Sequence, residues 1–253
     1  MPQFQWARTA GPETLYTVPV SRSPDVPWAL PPEIPWPQFL RLLRLADPPR
    51  GWLEAASELP ELRKRPLLLR WIAQHPKAPA HLRATLMARL PWRALAAVAA
   101  DAAAHPQARQ QATEKLQQLW TGMTQGERRS LALHAPRALW PLVWRTPNAG
   151  VLAAFLQNPR LGLEQVVALV QPPLRPVQAE ALAASRWREA GPLADQVLRA
   201  LDRTLPLPES GLVMGHAVPW IRMLDDEGRI LAASRLSHPA LRRLVHPRRS
   251  GED

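Results

Sequence analysis

The chain has 253 residues, a formal charge of +11, 46% apolar residues, 30 prolines and no cysteine. That length suits one or two ordinary domains or one elongated array, and the apolar share is enough to bury a core. Without cysteine there is no disulfide, thiol catalysis, Cys-held iron–sulfur cluster or Cys-built structural zinc site, and the positive balance favours anionic partners.

Residues 1–37 contain nine prolines together with Trp6, Trp28 and Trp36, and show no apolar periodicity. They are expected to form an extended, Pro-rich N-terminal arm. The start, MPQFQWARTA, lacks a basic stretch leading into an apolar core, so a secretory signal is not expected. No uninterrupted apolar run reaches the length of a membrane span. The expected location is the cytoplasm.

Beyond Trp36 the text changes to Leu- and Ala-rich segments that end at proline. The spacing predicts helices over 37–46, 50–58, 65–74, 77–90, 92–104, 107–120, 125–134, 136–145, 148–157, 160–171, 175–186, 192–203, 218–234 and 239–245. Strand formers are scarce, so the core is expected to be helical. Several segments close on His-Pro or Asn-Pro: His75-Pro76, His105-Pro106, Asn158-Pro159 and His238-Pro239. Proline disfavours helix at the residue before it, yet suits the first helical position, so each such pair ends one helix and opens the next. Asn there is a good cap; His is a poorer one.

Pro76, Pro106, Pro136 and Pro159 recur at intervals of about 20–30 residues, within the range that marks stacked helical repeats. Ten positions after three of them stand Leu86, Leu116 and Leu169, expected to be buried. A second echo pairs Leu182-Ala183-Ala184-Ser185-Arg186 with Leu231-Ala232-Ala233-Ser234-Arg235. With these features the chain resembles α-solenoid families, chiefly HEAT-like repeats and the variant leucine-rich repeat. Phe155-Leu156-Gln157-Asn158-Pro159, followed by Leu161, Leu163, Val166 and Leu169, comes nearest to the latter. The resemblance covers residues 65–171 well and 172–246 poorly, and it implies shape rather than activity. The Cys-bound iron–sulfur module that variant leucine-rich repeat proteins can carry has no ligands here.

Eleven tryptophans are read mainly as large core filler, with base stacking as the sharper alternative. Trp140 and Trp144, four apart, should share a helix face. Eight basic residues, Arg63, Lys64, Arg65, Arg70, Lys77, Arg83, Arg89 and Arg93, lie between Leu62 and Ala100 with no acid among them. Arg128, Arg129, Arg137, Arg145 and Arg160 form a second acid-free stretch, and Arg235, Arg242, Arg243, Arg248 and Arg249 precede Glu252. The first eight with Arg128, Arg129, Arg137 and Arg145 form the candidate surface for an anionic partner, if the fold gathers them.

Asp101, among alanines and four residues before His105, loosely resembles the lone Asp that HEAT-like DNA glycosylases use beside Trp and Arg. The plainer reading is an exposed Asp–His pair. Asp225-Asp226-Glu227-Gly228 reads as a helix interruption rather than a metal site. No metalloprotease, phosphate-loop, nucleophile-elbow or dinucleotide motif occurs. The expected fold is therefore all-α. Short stacked helical hairpins form an α-solenoid over 38–246, behind the arm of 1–37 and ahead of a disordered tail, 247–253. The expected function is a non-catalytic binding module or scaffold for a protein partner. Nucleic acid is the alternative partner, and a glycosylase relative the third reading. No cofactor, metal or membrane partner is expected.

Overall fold

The computed structural model describes Leu43, Pro48 and residues 51–246. The expected arm of 1–37, the helix over 37–46, the tail of 247–253, and Trp6, Trp28, Trp36, Arg248 and Arg249 lie outside the described residues.

The described residues are all-helical, with no strand among them. In chain order the helices are α1 (Trp52–Glu58), α2 (Pro60–Arg63), α3 (Pro66–Gln74), α4 (Ala80–Arg89), α5 (Trp92–Ala100), α6 (Pro106–Trp120), α7 (Gln125–His134) and α8 (Trp140–Trp144), then α9 (Ala149–Leu156), α10 (Leu163–Leu169), α11 (Pro176–Ala183), α12 (Gly191–Thr204), α13 (Val218–Ile221), α14 (Asp226–Arg235) and α15 (Pro239–Val245). Short 3-10 turns at Arg137–Leu139 and Met214–His216 precede α8 and α13.

Proline sits in the first turn of α2, α3, α8, α11, α12, α13 and α15, where its missing N–H costs nothing. Where proline is lacking, other devices act. Gly51, in the left-handed region at φ 79°, turns the chain into α1. Thr124 and Glu127 form a reciprocal capping box at α7. The first-turn glutamines Gln165 and Gln178 each accept the N–H at the start of their own helix, Gly162 and Arg175, at 2.9 Å.

The residue before proline has a specific task. The Nδ1 of His75 accepts the N–H of Lys77 at 3.1 Å, and that of His105 accepts the N–H of Gln107 at 3.2 Å. The Oδ1 of Asn158 accepts the N–H of Arg160 at 2.9 Å. Proline offers no donor, so the acceptor reaches past it to the next N–H. Imidazole Nδ1 and amide oxygen lie at comparable reach from the backbone and do the same work at these three joints, whereas Nδ1 of His238 accepts the N–H of Leu241, three residues on.

By compactness the chain divides into residues 1–118 and 119–253, a boundary near the end of α6. In the first unit α3 packs against α1, α4 and α5. Its buried side chains include Trp52, Leu53, Leu62, Leu69, Ile72, Leu86, Leu95 and Leu116. In the second, α9 packs on both α7 and α11, α12 lies on α10, and α14 lies on α12 and α15. The interior of α12 holds Leu193, Ala194, Val197, Leu198 and Leu201, spaced as one helix face requires. Each row thus runs through every second helix, such as α7–α9–α11.

Several hydrogen bonds join elements distant in sequence. Gln74 to Asp101, Asn158 to the Ala132 carbonyl, Gln196 to the Val170 carbonyl, Leu174 N–H to Thr204 Oγ1, and Trp187 Nε1 to the Leu156 carbonyl span 27, 26, 26, 30 and 31 residues.

Three expectations need amendment. The helix over 218–234 is interrupted: α13 ends at Ile221, and Asp225 starts α14 by accepting the Gly228 N–H at 2.7 Å. The helix over 92–104 stops at Ala100, since Asp101 turns extended there. Leu169 is only partly buried, because α10 turns Val166 and the following Val170 inward instead.

Asp202 anchors the last helix. Its carboxylate accepts the N–H of His238 at 2.7 Å, the N–H of Ser237 at 3.0 Å and the Ser237 hydroxyl at 2.7 Å. Burial disfavours its charge, but those bonds, with the neighbouring His238 ring, outweigh burial and hold the carboxyl below the ordinary Asp range. A folded-state pKa below the unfolded value, about 3.9, means this contribution is present above that pH and fades as pH falls through the folded value. Asp202→Asn is therefore expected to cost ~1–2 kcal/mol near neutral pH. In urea melts the deficit should shrink on acidification, because the wild type loses its own advantage there.

Candidate functional site

The twelve candidate cations fall into the two units, eight in the first and four in the second. Arg63 lies in α2, and its side chain falls outside the described set. Lys64, Arg65, Lys77, Arg89 and Arg93 are exposed, and Arg70 is half-buried. Arg89 approaches Glu58 at 3.9 Å, and Arg93 lies over the Trp92 ring at 5.2 Å. In the second unit Arg129, Arg137 and Arg145 are exposed and Arg128 is half-buried.

Arg83 does not belong to that exposed set. It is 3% exposed, and its Nε donates to the Ala73 carbonyl at 3.3 Å while a terminal nitrogen donates to the Ala78 carbonyl at 3.0 Å. Burial pushes its pKa down from the ordinary arginine value. Its side chain closes the end of α3 from the adjoining helix α4.

The same device recurs. Arg128 donates to the carbonyls of Trp120 and Thr121, at 2.9 and 2.7 Å, closing α6. Arg175 donates to Trp144 at 2.9 Å and Thr146 at 3.3 Å, closing α8, and burial lowers its pKa as well. Arg186 reaches the Asn158 carbonyl at 3.4 Å, and Arg229 the Leu224 carbonyl at 3.2 Å. The last carbonyls of a helix lack intrahelical partners and carry partial negative charge, so a guanidinium fork suits them. This accounts for part of the acid-poor composition: several arginines take backbone oxygens, rather than carboxylates, as their anionic partners.

The tryptophans divide in the same way. Trp52, Trp120, Trp140, Trp144 and Trp220 are buried. Trp140 and Trp144 do share a face, both against Phe155 with ring centroids 6.4 and 6.5 Å away. The Nε1 of Trp140 donates to the Ala135 carbonyl. Trp71, Trp92 and Trp187 are partly exposed. Arg186 stacks on Trp187 at 4.4 Å, so the ring's cation is the residue before it, not Arg188.

Asp101 lies exposed beyond the end of α5. Its Oδ1 accepts the Ala103 N–H at 3.0 Å and its Oδ2 accepts from Gln74 at 2.9 Å. His105 turns to the Gln107 N–H rather than to Asp101. Both groups serve the turn between α5 and α6. Among the described residues no helix is long and apolar enough to cross a membrane, and no group of three or more His, Cys, Asp or Glu is placed to hold a metal ion.

Composition and periodicity gave no sign of one further surface. Among the described residues the exposed large apolar side chains are Leu67, Leu207, Val213, Met223, Ile230, Leu231 and Leu244, so six of seven fall within 207–244. No protein-family model matches the chain, and searches of curated proteins and of solved structures found no match.

Proposed function

We propose that this chain is a non-catalytic binding module, a scaffold of stacked helical hairpins that holds a protein partner. The observation that carries this reading is the concentration of exposed Leu207, Val213, Met223, Ile230, Leu231 and Leu244 within residues 207–244 of the second unit, while most large aliphatics elsewhere among the described residues are buried. Contiguous apolar surface is costly to leave in water and typically marks a place where another macromolecule docks. The array reading rests on packing between every second helix and on hydrogen bonds between elements distant in sequence. A helical hairpin of this size buries too little of its own apolar face and needs neighbours, which is the logic of repeat proteins. The reading is tested by immobilising the full chain and exposing it to nuclease-treated extract at about physiological ionic strength. Saturable retention of a protein supports it; retention of nothing, or of nucleic acid alone before nuclease treatment, removes it.

A second reading, nucleic-acid binding by the first unit, is favoured by exposed Lys64, Arg65, Lys77, Arg89 and Arg93 in a stretch without acids. Phosphate contacts release counterions, so affinity for a single-stranded oligonucleotide should fall steeply with salt. Reversing Arg89 and Arg93 together should reduce it about tenfold or more. Arg83 must be kept, since its reversal would leave the end of α3 open. An affinity indifferent to salt and to both reversals ends this reading.

A further inference from the structure

Helix α14 is turned inside out relative to ordinary amphipathicity. It buries Ala232 and Ala233, at 4% and 3% exposure, and shows Ile230 and Leu231, at 58% and 50%. The internal echo makes the contrast sharp. In α11 the same pentapeptide, Leu-Ala-Ala-Ser-Arg, places Leu182 fully inside, and Ser185 Oγ donates to the Leu182 carbonyl at 2.7 Å. In α14 Ser234 Oγ makes the same bond to the Leu231 carbonyl at 2.7 Å, but there the helix runs on to Arg235, whereas α11 ends at Ala183, and the leucine of α14 faces outward. Leu182 is fully buried, on a helix that packs against α9, whereas Leu231 is half exposed.

The charge on α14 is acidic at its start, where Asp225, Asp226 and Glu227 are exposed, and basic beyond it. From Gly228 to Gly251 the sequence holds Arg229, Arg235, Arg242, Arg243, Arg248 and Arg249 and no acid. Arg235 is exposed at the end of α14 and shares Asp195 with Arg199. Arg242 and Arg243 are exposed on α15, which packs against α14 and shows Leu244 at 45%. From these observations, and resting on the protein-binding reading above, we infer that the outward face of α14 and α15 is the docking site for an amphipathic helix of the partner. That helix carries aliphatic side chains for Ile230, Leu231 and Leu244 and carboxylates for Arg242 and Arg243.

Three other occupants fit less well. A second copy of this chain would set arginine against arginine. The seven residues after His246, Pro-Arg-Arg-Ser-Gly-Glu-Asp, contain no large aliphatic side chain to fill the face. A lipid surface is served by interfacial helices rich in Lys or Arg with Trp, Phe or Leu; α14 has Arg229, Arg235 and Leu231 but no Trp or Phe, and an anionic surface would repel Asp226 and Glu227 at its start. An aliphatic ridge flanked by guanidiniums instead matches helix-in-groove recognition with charge fixing its register.

The test uses the full chain and two fluorescein-labelled helical peptides, both with Leu at helical spacing, one with Glu on the flanks and the other with Lys. The Glu peptide is expected to bind, with anisotropy falling as salt rises. The doubles Ile230→Ser/Leu231→Ser and Arg242→Glu/Arg243→Glu should each weaken it about tenfold or more, with helical circular dichroism unchanged because all four side chains are exposed. Equal binding of the Lys peptide, no binding of the Glu peptide, or insensitivity to both doubles overturns the inference. So does capture of the chain by phosphatidylserine-containing vesicles with loss in the same doubles, or self-association that the serine double abolishes. If a protein is retained from extract at full strength by both doubles, this face is wrong while the binding-module reading stands.

Discussion

Leu86→Ala and Leu116→Ala are each expected to lower the unfolding free energy by ~2–5 kcal/mol, the range for deleting a fully buried leucine from a packed core. Both side chains have no measurable exposure, one in α4 and the other in α6. Leu169, at the corresponding place after Pro159, is only partly buried, and Leu169→Ala should cost about 1 kcal/mol. Chemical denaturation of the three variants at one temperature measures the contrast. Equal losses at all three would mean that α10 is rotated, with Leu169 inside in place of Val166 or Val170.

The second large effect belongs to Asn158. The side chain is wholly buried between the end of α9 and the end of α7. Its Nδ2 donates to the carbonyls of Ala132 and Ala135, at 3.2 and 3.1 Å, while its Oδ1 accepts from Arg160 at 2.9 Å. Asn158→Ala removes three hydrogen bonds and leaves buried backbone groups short of partners, at an expected cost of ~2–4 kcal/mol. Asn158→Asp is the more telling variant. An aspartate replaces asparagine readily in a pure capping role, because only an acceptor is needed. Here it would set a carboxylate against two carbonyl oxygens in a dry site, so it should destabilise at least as much as alanine. An Asp variant as stable as the wild type would show that Asn158 acts as a local cap only and does not join α9 to α7.

Much of the helical layout was legible because proline acts locally. A residue without an N–H, placed after His or Asn, ends a helix by itself, and no tertiary information is needed to see it. The misses occur where tertiary packing decides. Pro60 opens α2 inside a segment that also reads as a linker, whereas the interruption read at Asp225-Asp226-Glu227-Gly228 is present, with Asp225 capping α14. The Leu-Ala-Ala-Ser-Arg echo is identical in letters, yet α11 ends at Ala183 within one copy while α14 runs through the other to Arg235, and one leucine is buried and the other half exposed.

The candidate cation surface was legible only as composition. Arg83 and Arg89 look alike in the sequence, yet one closes the end of α3 and the other stands in solvent. A guanidinium's partner can be a backbone oxygen, which every residue supplies and no letter marks. A run of arginines without acids therefore overstates the charge available to a ligand, and the share spent on helix ends is read only from coordinates.

The joints before proline have a chemical asymmetry of their own. At His75 and His105 the nitrogen that receives the backbone hydrogen must hold its lone pair, which fixes the imidazole as the tautomer with its hydrogen on Nε2. The amide at Asn158 has no such alternative form. The same bend is thus made of two materials, the lone pair of an aromatic ring nitrogen and the oxygen of an amide.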